Sequence, residues 1–181
     1  MSGEGGDMHF DVIVETPGGS RNKYEMDFRA GRIRLDRLLF TATVYPYDYG
    51  FVPGTLAEDD DRLDALVLGE EPTFPGCVIE VRPVAVFWME DERRPDAKVL
   101  CVPAHDVRFS EIRDLLDVDW HVLAEIGHFF EVYQDLEPEK STSTRGWEYR
   151  SVAEKAVDEA VRRFRASVAD QWLIGAGGVV L

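Results

Sequence analysis

Residues 77–102 read CVIEVRPVAVFWMEDERRPDAKVLCV, two stretches of β-branched and aromatic residues on either side of DERRPD. This composition predicts strands over residues 77–88 and 97–102, with a break in regular structure between them. The same pattern upstream predicts further strands, which are residues 10–15, 23–28, 32–38 and 63–69. Clusters of Gly, Pro and Asp separate them at PGG (17–19), EDDD (58–61) and EPTFPG (71–76).

Helical periodicity appears only after these strands, where apolar residues recur at helical spacing over 119–136 and 151–168. Strands followed by helices predict an α+β, mainly β domain, a compact sheet or barrel with two helices outside it. We divide the chain into a flexible leader (1–8), one domain (9–168) and an apolar C-terminal tail (169–181). The tail is a candidate for packing on a neighbouring subunit.

Composition narrows the class of protein. Of the 181 residues 45% are hydrophobic, enough for a buried core, and no apolar stretch approaches the roughly 18 residues of a membrane-spanning helix. We see no secretory signal at the N-terminus. The net charge of −15 disfavours a nucleic-acid partner, because it repels phosphate backbones. Cys77 and Cys101 lie in apolar stretches, which is typical of buried, reduced thiols in a cytoplasmic protein.

Strand alternation places charges among apolar residues. Asp64 shares a face with Leu66, Asp96 and Lys98 share a face with Leu100, and Arg37 shares a face with Leu35. A buried unpaired charge costs several kcal/mol, so inward-facing charges need partners, metal ions or a wet cavity. The alternative is that these charges lie at the rim, where the strands leave the core.

The densest group of functional side chains is DDDRLD at residues 59–64, and Asp91 and Asp96 follow shortly before Lys98. An acidic turn alone is usually a solvated loop. As a metal site, the cluster suits several Mg²⁺ ions, since it lacks the glycine and distal glutamate of a calcium loop. The residues that we expect to bind phosphate are Lys23, Arg37, Lys98, Tyr45, Tyr49 and Tyr133. The four histidines (His9, His105, His121 and His128) show no mutual spacing suited to a metal site or a catalytic triad.

Nine short motifs in order resemble the soluble family I inorganic pyrophosphatases of bacteria, over about residues 9–165. They are VIVETP (12–17), KYEMD (23–27), LDR (35–37), YPYDYGF (45–51), DDDRLDALV (59–67), PG (75–76), RPV (82–84), DAKVLCVP (96–103) and HFFEVYQDLE (128–137). The resemblance implies a five-stranded OB-like barrel with two flanking α-helices, often assembled as a homohexamer. It also implies hydrolysis of pyrophosphate to two orthophosphates by a metal-activated water in the cytoplasm, with several Mg²⁺ ions that Mn²⁺ or Zn²⁺ can replace.

The resemblance also implies a role for each matched residue. Metal ligands would be Glu15, Asp59, Asp61, Asp64, Asp91 and Asp96. Catalytic residues would be Asp61 as proton acceptor, Glu25 through a water, and Tyr49. Substrate-binding residues would be Lys23, Arg37, Tyr45, Lys98 and Tyr133.

The chain departs from the family pattern at three places. Asp60 stands where most members have glycine, and Arg62 where they have proline, so that Arg62 adds a cation beside the acids unless it pairs with Asp60. Gln134 replaces a lysine expected to contact phosphate, and Ser141–Thr144 replaces a stretch with another lysine.

These departures keep two alternatives open. A catalytically weakened relative could bind phosphate compounds as a sensor or partner protein. An OB-type nucleic-acid binder could use the aromatics of Tyr45–Phe51 as a stacking platform.

Overall fold

A computed structural model describes residues 7–91, 94–138 and 142–176 of the chain. The strands within these residues are β1 (Phe10–Thr16), β2 (Asn22–Asp27), β3 (Arg32–Leu38), β4 (Asp48–Phe51), β5 (Asp64–Val67), β6 (Val78–Asp91), β7 (Arg94–Pro103) and β8 (Thr142–Tyr149). The helices are α1 (Trp120–Val132) and α2 (Arg150–Ala176), with short 3₁₀ turns at Val107–Phe109 and Leu115–Asp117.

Five of the strands close into a ring. β1 pairs with both β4 and β6, β5 joins β4 to β7, and β7 pairs with β6. All of these pairings are antiparallel except that of β5 with β7, which is parallel. β8 extends the ring along β6, and β2 and β3 form a separate hairpin. The predicted mainly β, five-stranded barrel with two helices is therefore confirmed.

The contact between β1 and β4 depends on Gly50. A Cβ atom at this position would lie 2.0 Å from the carbonyl oxygen of Ile13. Only glycine allows the two backbones to come this close, which explains the glycine in the YDYGF segment.

Alternate residues of β5 and β7 enter two different cores. Leu66 and Leu100 belong to a core that includes α1, whose buried residues there are Ile126, Phe129 and Phe130. Ala65 and Val99 belong to a second core that includes Ala153, Val157 and Ala160 of α2. The first core is the one that matters for function, because Asp64 and Lys98 share its strand face.

The six predicted strands are present, β3 with the predicted bounds and the other five with shifted ends, whereas β4 and β8 were missed. β4 has only four residues, two of them Asp and Gly, and β8 contains Gly146 at φ 96° among polar residues. Half of the residues in each strand are Thr or aromatic, but glycine and charged residues interrupt them, so the pairing with neighbouring strands decides their conformation.

The two predicted helices are confirmed with different ends. α1 stops at Val132, and Leu136, which we predicted on its apolar face, is 66% exposed in the turns that follow. α2 continues past residue 168 to Ala176, into the predicted apolar tail. Residues 1–6 of the predicted leader and residues 177–181 of the tail lie outside the described part of the chain.

No helix within the described ranges combines the length and the apolar character needed to cross a membrane.

Candidate active site

Asp64 and Lys98 lie opposite each other in the parallel pairing of β5 and β7. The ammonium of Lys98 contacts the Asp64 carboxylate and lies 2.7 Å from that of Asp96. Lys98 is only 4% exposed, so the prediction of charges on the inward face is confirmed. Although burial lowers the pKa of Lys98, Asp64 and Asp96 raise it well above its ordinary value, and the lysine is charged.

The hydroxyl of Tyr49 donates a hydrogen bond of 2.6 Å to the same carboxylate oxygen of Asp64. Burial raises the pKa of Asp64 to about 6, while Lys98 and Tyr49 favour its ionised form. Asp64 is therefore an anion at neutral pH. The ring of Tyr49 packs on Tyr45, with centroids 5.2 Å apart, and burial raises the pKa of both phenols so that they remain hydrogen-bond donors.

The turn before β5 carries the remaining aspartates of the cluster. Asp59 accepts a hydrogen bond of 3.1 Å from the backbone N–H of Asp61, and burial raises the pKa of Asp59. Asp60, between them, has φ 72°, in the left-handed region that favours glycine. Aspartate is one of the few other residues that adopt this conformation, which explains how the chain tolerates the replacement.

Arg62 does not pair with Asp60. Its Nη1 donates to the carbonyl of Thr55 at 2.7 Å, and its guanidinium lies 5.2 Å from the ring of Phe28 and 4.6 Å from that of Phe164. Asp60 instead pairs with Arg94 at 2.8 Å. The pairing with Asp60 that would neutralise Arg62 is therefore absent, and the guanidinium packs on aromatic rings instead.

Glu15 and the β2–β3 hairpin form the opposite wall. Glu15 is 9% exposed and accepts a 2.7 Å hydrogen bond from the backbone N–H of Met26. Burial raises the pKa of Glu15 to about 7, and the charges of Asp64 and Glu25 add to the effect. Lys23 contacts the carboxylate of Glu25, as expected for two residues on one face of β2.

Arg37, on β3, is held by carboxylates from two segments. Its Nε and Nη2 donate to Glu137 at 2.7–3.0 Å, and its Nη1 contacts Asp36. Leu35 of the same strand is 58% exposed, so Arg37 does not point into the domain as the alternation predicted. The hairpin lies outside the ring, and Arg37 reaches instead toward the segment that follows α1.

Tyr133 follows α1 directly and its ring stacks on Phe129, with centroids 5.1 Å apart. The ring of Tyr45 packs on the same phenylalanine at 4.8 Å. Tyr133 therefore joins the site through the aromatic ring that it shares with Tyr45.

A cleft of about 290 Å³ joins these walls. Its lining includes six of the predicted site residues, which are Glu15, Lys23, Glu25, Tyr49, Asp61 and Asp64. Lys98 and Tyr45 connect to this lining through their contacts with Asp64 and Tyr49, and Asp96 connects to it through Lys98. The sequence also predicts Asp91, the last residue of β6, whose side chain is outside the described part of the structure.

Sequence reasoning missed two acids that orient the cations, Glu137 on Arg37 and Asp36 between Arg37 and Lys23. Both lie inside motifs that carry the resemblance, which is the signal that could have identified them. It also missed the apolar lining of the cleft, Met26, Phe28 and Phe51. The short hydrophobic segments that contain these residues resemble ordinary strand sequence.

Comparison with known proteins agrees with this geometry. The family model described as inorganic pyrophosphatase matches residues 12–165. The chain belongs to the inorganic pyrophosphatase family. It is 54% identical to the inorganic pyrophosphatase of Streptomyces coelicolor over 158 residues, which are 87% of this chain and 97% of the relative.

Solved inorganic pyrophosphatases share the fold as well. The structure from Thermus thermophilus superposes with a TM-score of 0.85 at 46% identity, over 90% of this chain and 95% of that one. The structure from Helicobacter pylori superposes with a TM-score of 0.83 at 36% identity, over 90% of this chain and 99% of that one. The predicted resemblance to a bacterial pyrophosphatase is confirmed.

One departure from the family pattern stands out in this pyrophosphatase structure. Gln134 is only 6% exposed, and its Oε1 has no hydrogen-bond partner among the described residues. The position thus holds a buried polar group whose hydrogen-bonding capacity is incompletely used.

Proposed function

We infer that this chain hydrolyses inorganic pyrophosphate to two orthophosphates. The observation that carries the inference is Lys98, buried between Asp64 and Asp96 beside a cleft lined with further carboxylates, in a member of the inorganic pyrophosphatase family. A charged lysine among acids gives the site both a cation for phosphate and anions for metal ions.

The donor set fits hard divalent cations, because the candidate ligands are all carboxylates. We propose that several Mg²⁺ ions bind here, with Mn²⁺ or Zn²⁺ able to replace them. The ligands would be Glu15, Asp59, Asp61, Asp64, Asp91 and Asp96. The ions would supply positive charge around the phosphate oxygens and acidify the attacking water.

The protein side chains have distinct tasks in this proposal. Asp61 accepts the proton of the attacking water, and Glu25 acts through a second water. Tyr49 fixes the orientation of Asp64 through the 2.6 Å hydrogen bond. The phosphate-binding residues are Lys23, Arg37, Tyr45, Lys98 and Tyr133.

The cations that would bind phosphate are held in place by acids of the chain itself. Lys23 contacts Glu25, and Arg37 has Glu137 on one side of its guanidinium and Asp36 on the other. The bidentate contact with Glu137 fixes the plane of the guanidinium, so that an incoming phosphate needs to displace only Asp36.

We further propose a homohexamer in the cytoplasm without nucleic-acid or membrane partners. Exposed apolar side chains support an interface between copies, among them Leu35, Leu38, Phe40 and Leu136. The two cysteines are free, which agrees with a reducing compartment. Three of the four aromatics in the stacking platform of the nucleic-acid alternative are buried, since Tyr45, Tyr49 and Phe51 are at most 9% exposed.

The test is colorimetric phosphate release from pyrophosphate, with Mg²⁺ and with chelator. We expect Mg²⁺-dependent release that Asp64→Asn lowers at least about 100-fold, because the variant keeps the shape but loses the charge between Lys98 and the ions. Asp158→Asn, on the exposed face of α2, is the matched control and should retain full activity. No release by the wild-type protein would instead support the catalytically weakened alternative.

A further inference from the structure

Three metal-binding side chains converge on the surface away from the cleft. Ligand atoms of His9, Glu80 and His105 all lie within 4.8 Å of one another. The Nδ1 of His9 is 3.4 Å from Oε1 of Glu80, and the Nε2 of His105 is 3.1 Å from Oε2. The two imidazole rings meet edge to face, with centroids 5.9 Å apart. Each carboxylate oxygen thus faces one imidazole nitrogen.

The sheet places these residues together, although they are far apart in sequence. His9 immediately precedes β1, whose Phe10 pairs with Val81 of β6. The backbone N–H of Ala104 donates to the carbonyl of Glu80 at 2.9 Å, which holds the exit of β7 against β6. The three side chains therefore extend from backbone that strand pairing fixes on both sides of Glu80.

The local charge favours a cation at this place. Asp11 lies directly opposite Glu80 in the register of β1 and β6, and like charges in this relation are destabilising. A hydrogen bond from His105 lowers the pKa of Glu80, which is therefore an anion. The two histidines do not relieve the repulsion while they are neutral.

We propose that His9, Glu80 and His105 bind one divalent transition-metal ion of the zinc type, at a site separate from the aspartate cluster. Two imidazoles and one carboxylate are a common zinc donor set, with a fourth position left for water. Mg²⁺ favours carboxylate oxygens and several waters instead, so Mg²⁺ in excess fills the aspartate cluster without competing for the imidazoles. The side chains are 35%, 47% and 73% exposed for His9, Glu80 and His105, which leaves a path for the ion.

The experiment is a calorimetric Zn²⁺ titration of the full chain in excess Mg²⁺, which keeps the aspartates occupied. We expect one Zn²⁺ per chain, bound at least about tenfold more weakly in His9→Ala and in His105→Ala. Co²⁺ should give visible absorption that both variants lose. These residues lie outside the cleft, so pyrophosphate hydrolysis in Mg²⁺ should not change.

His121→Ala is the matched control, since His121 is another exposed histidine, at the start of α1. It should leave the Zn²⁺ titration and the Co²⁺ spectrum unchanged. Circular dichroism spectra that match the wild type confirm that each variant is folded. The proposal is overturned if Mg²⁺ abolishes Zn²⁺ binding, if His9→Ala and His105→Ala bind as the wild type does, or if His121→Ala weakens binding equally.

Discussion

Asp64 and Lys98 face each other across two parallel strands, and the buried lysine also lies 2.7 Å from Asp96. The ammonium separates two carboxylates that would otherwise repel each other in a largely buried place. Its removal leaves both acids without a counter-charge. Breaking a buried ion pair in this way typically costs about 3–5 kcal/mol.

We therefore predict that Lys98→Met lowers the free energy of unfolding by about 3–5 kcal/mol in chelator, measured by urea denaturation. Mg²⁺ should stabilise this variant more than the wild type, because the ions then neutralise the two carboxylates that have lost their counter-charge. Lys155→Met, whose side chain is 72% exposed, is the control and should change stability by less than about 1 kcal/mol. Equal losses in the two variants would contradict the role of Lys98.

The raised pKa of Glu15 predicts that the stability of the metal-free protein depends on pH. Burial raises its pKa from 4.5 to about 7, so between these values the folded state holds a proton that the unfolded chain has released. The free energy of unfolding should therefore fall as the pH rises from 4.5 to 7, with the full penalty present above pH 7.

Glu15→Gln should remove this pH-dependent loss of unfolding free energy, which is roughly 3 kcal/mol. The stability of the variant relative to the wild type should therefore rise between pH 5 and about pH 8. Urea denaturation in chelator at several pH values measures it. Glu111→Gln, at an exposed glutamate, should follow the wild-type curve. Parallel curves for Glu15→Gln and the wild type would show that Glu15 does not hold a proton in the folded protein.

Gly50→Ala tests the close approach of β1 and β4. The new methyl group would lie 2.0 Å from the Ile13 carbonyl oxygen, so the strands must separate. We expect a loss of about 3 kcal/mol or more in unfolding free energy. Gly69→Ala meets nothing nearer than 3.4 Å and should be close to neutral. If Gly50→Ala unfolds at the same urea concentration as the wild type, the backbones of β1 and β4 are further apart than the structure places them.

Gln134→Lys should lower the KM for pyrophosphate several-fold, because a lysine beside Tyr133 adds a charge-assisted bond to phosphate. Gln134→Met separates charge from packing. It removes Oε1, which has no hydrogen-bond partner in the described part of the chain, without adding a cation, so it should leave the KM unchanged and raise stability slightly. Kinetic constants of Gln134→Lys equal to those of the wild type would place residue 134 outside the substrate contacts.

Alternation alone was sufficient to place Asp64 on the face of Leu66 and Lys98 on the face of Leu100, because apolar neighbours two residues away fix the direction of each side chain. It failed for Arg37. The hairpin that carries Arg37 is not part of the ring, so its faces are not divided into core and solvent as those of β5 and β7 are.

Side-chain contacts between residues far apart in the chain leave no pattern in the local sequence, so they could not be predicted from it. Arg37 contacts Glu137, which is 100 residues away in the sequence. His9 lies beside His105 only because β6 pairs with both β1, which follows His9, and β7, which precedes His105. The four histidines therefore appeared unrelated in sequence. Strand pairing, which sequence spacing does not encode, brings two of them together with Glu80.

The position of Arg62 between Phe28 and Phe164 has a consequence for the aspartate turn. The turn is anchored by an aromatic clamp rather than by the ions that it is expected to bind, so its shape is set during folding. The conformational entropy of arranging Asp59 and Asp61 is then lost before any ion arrives, and such preorganisation strengthens binding.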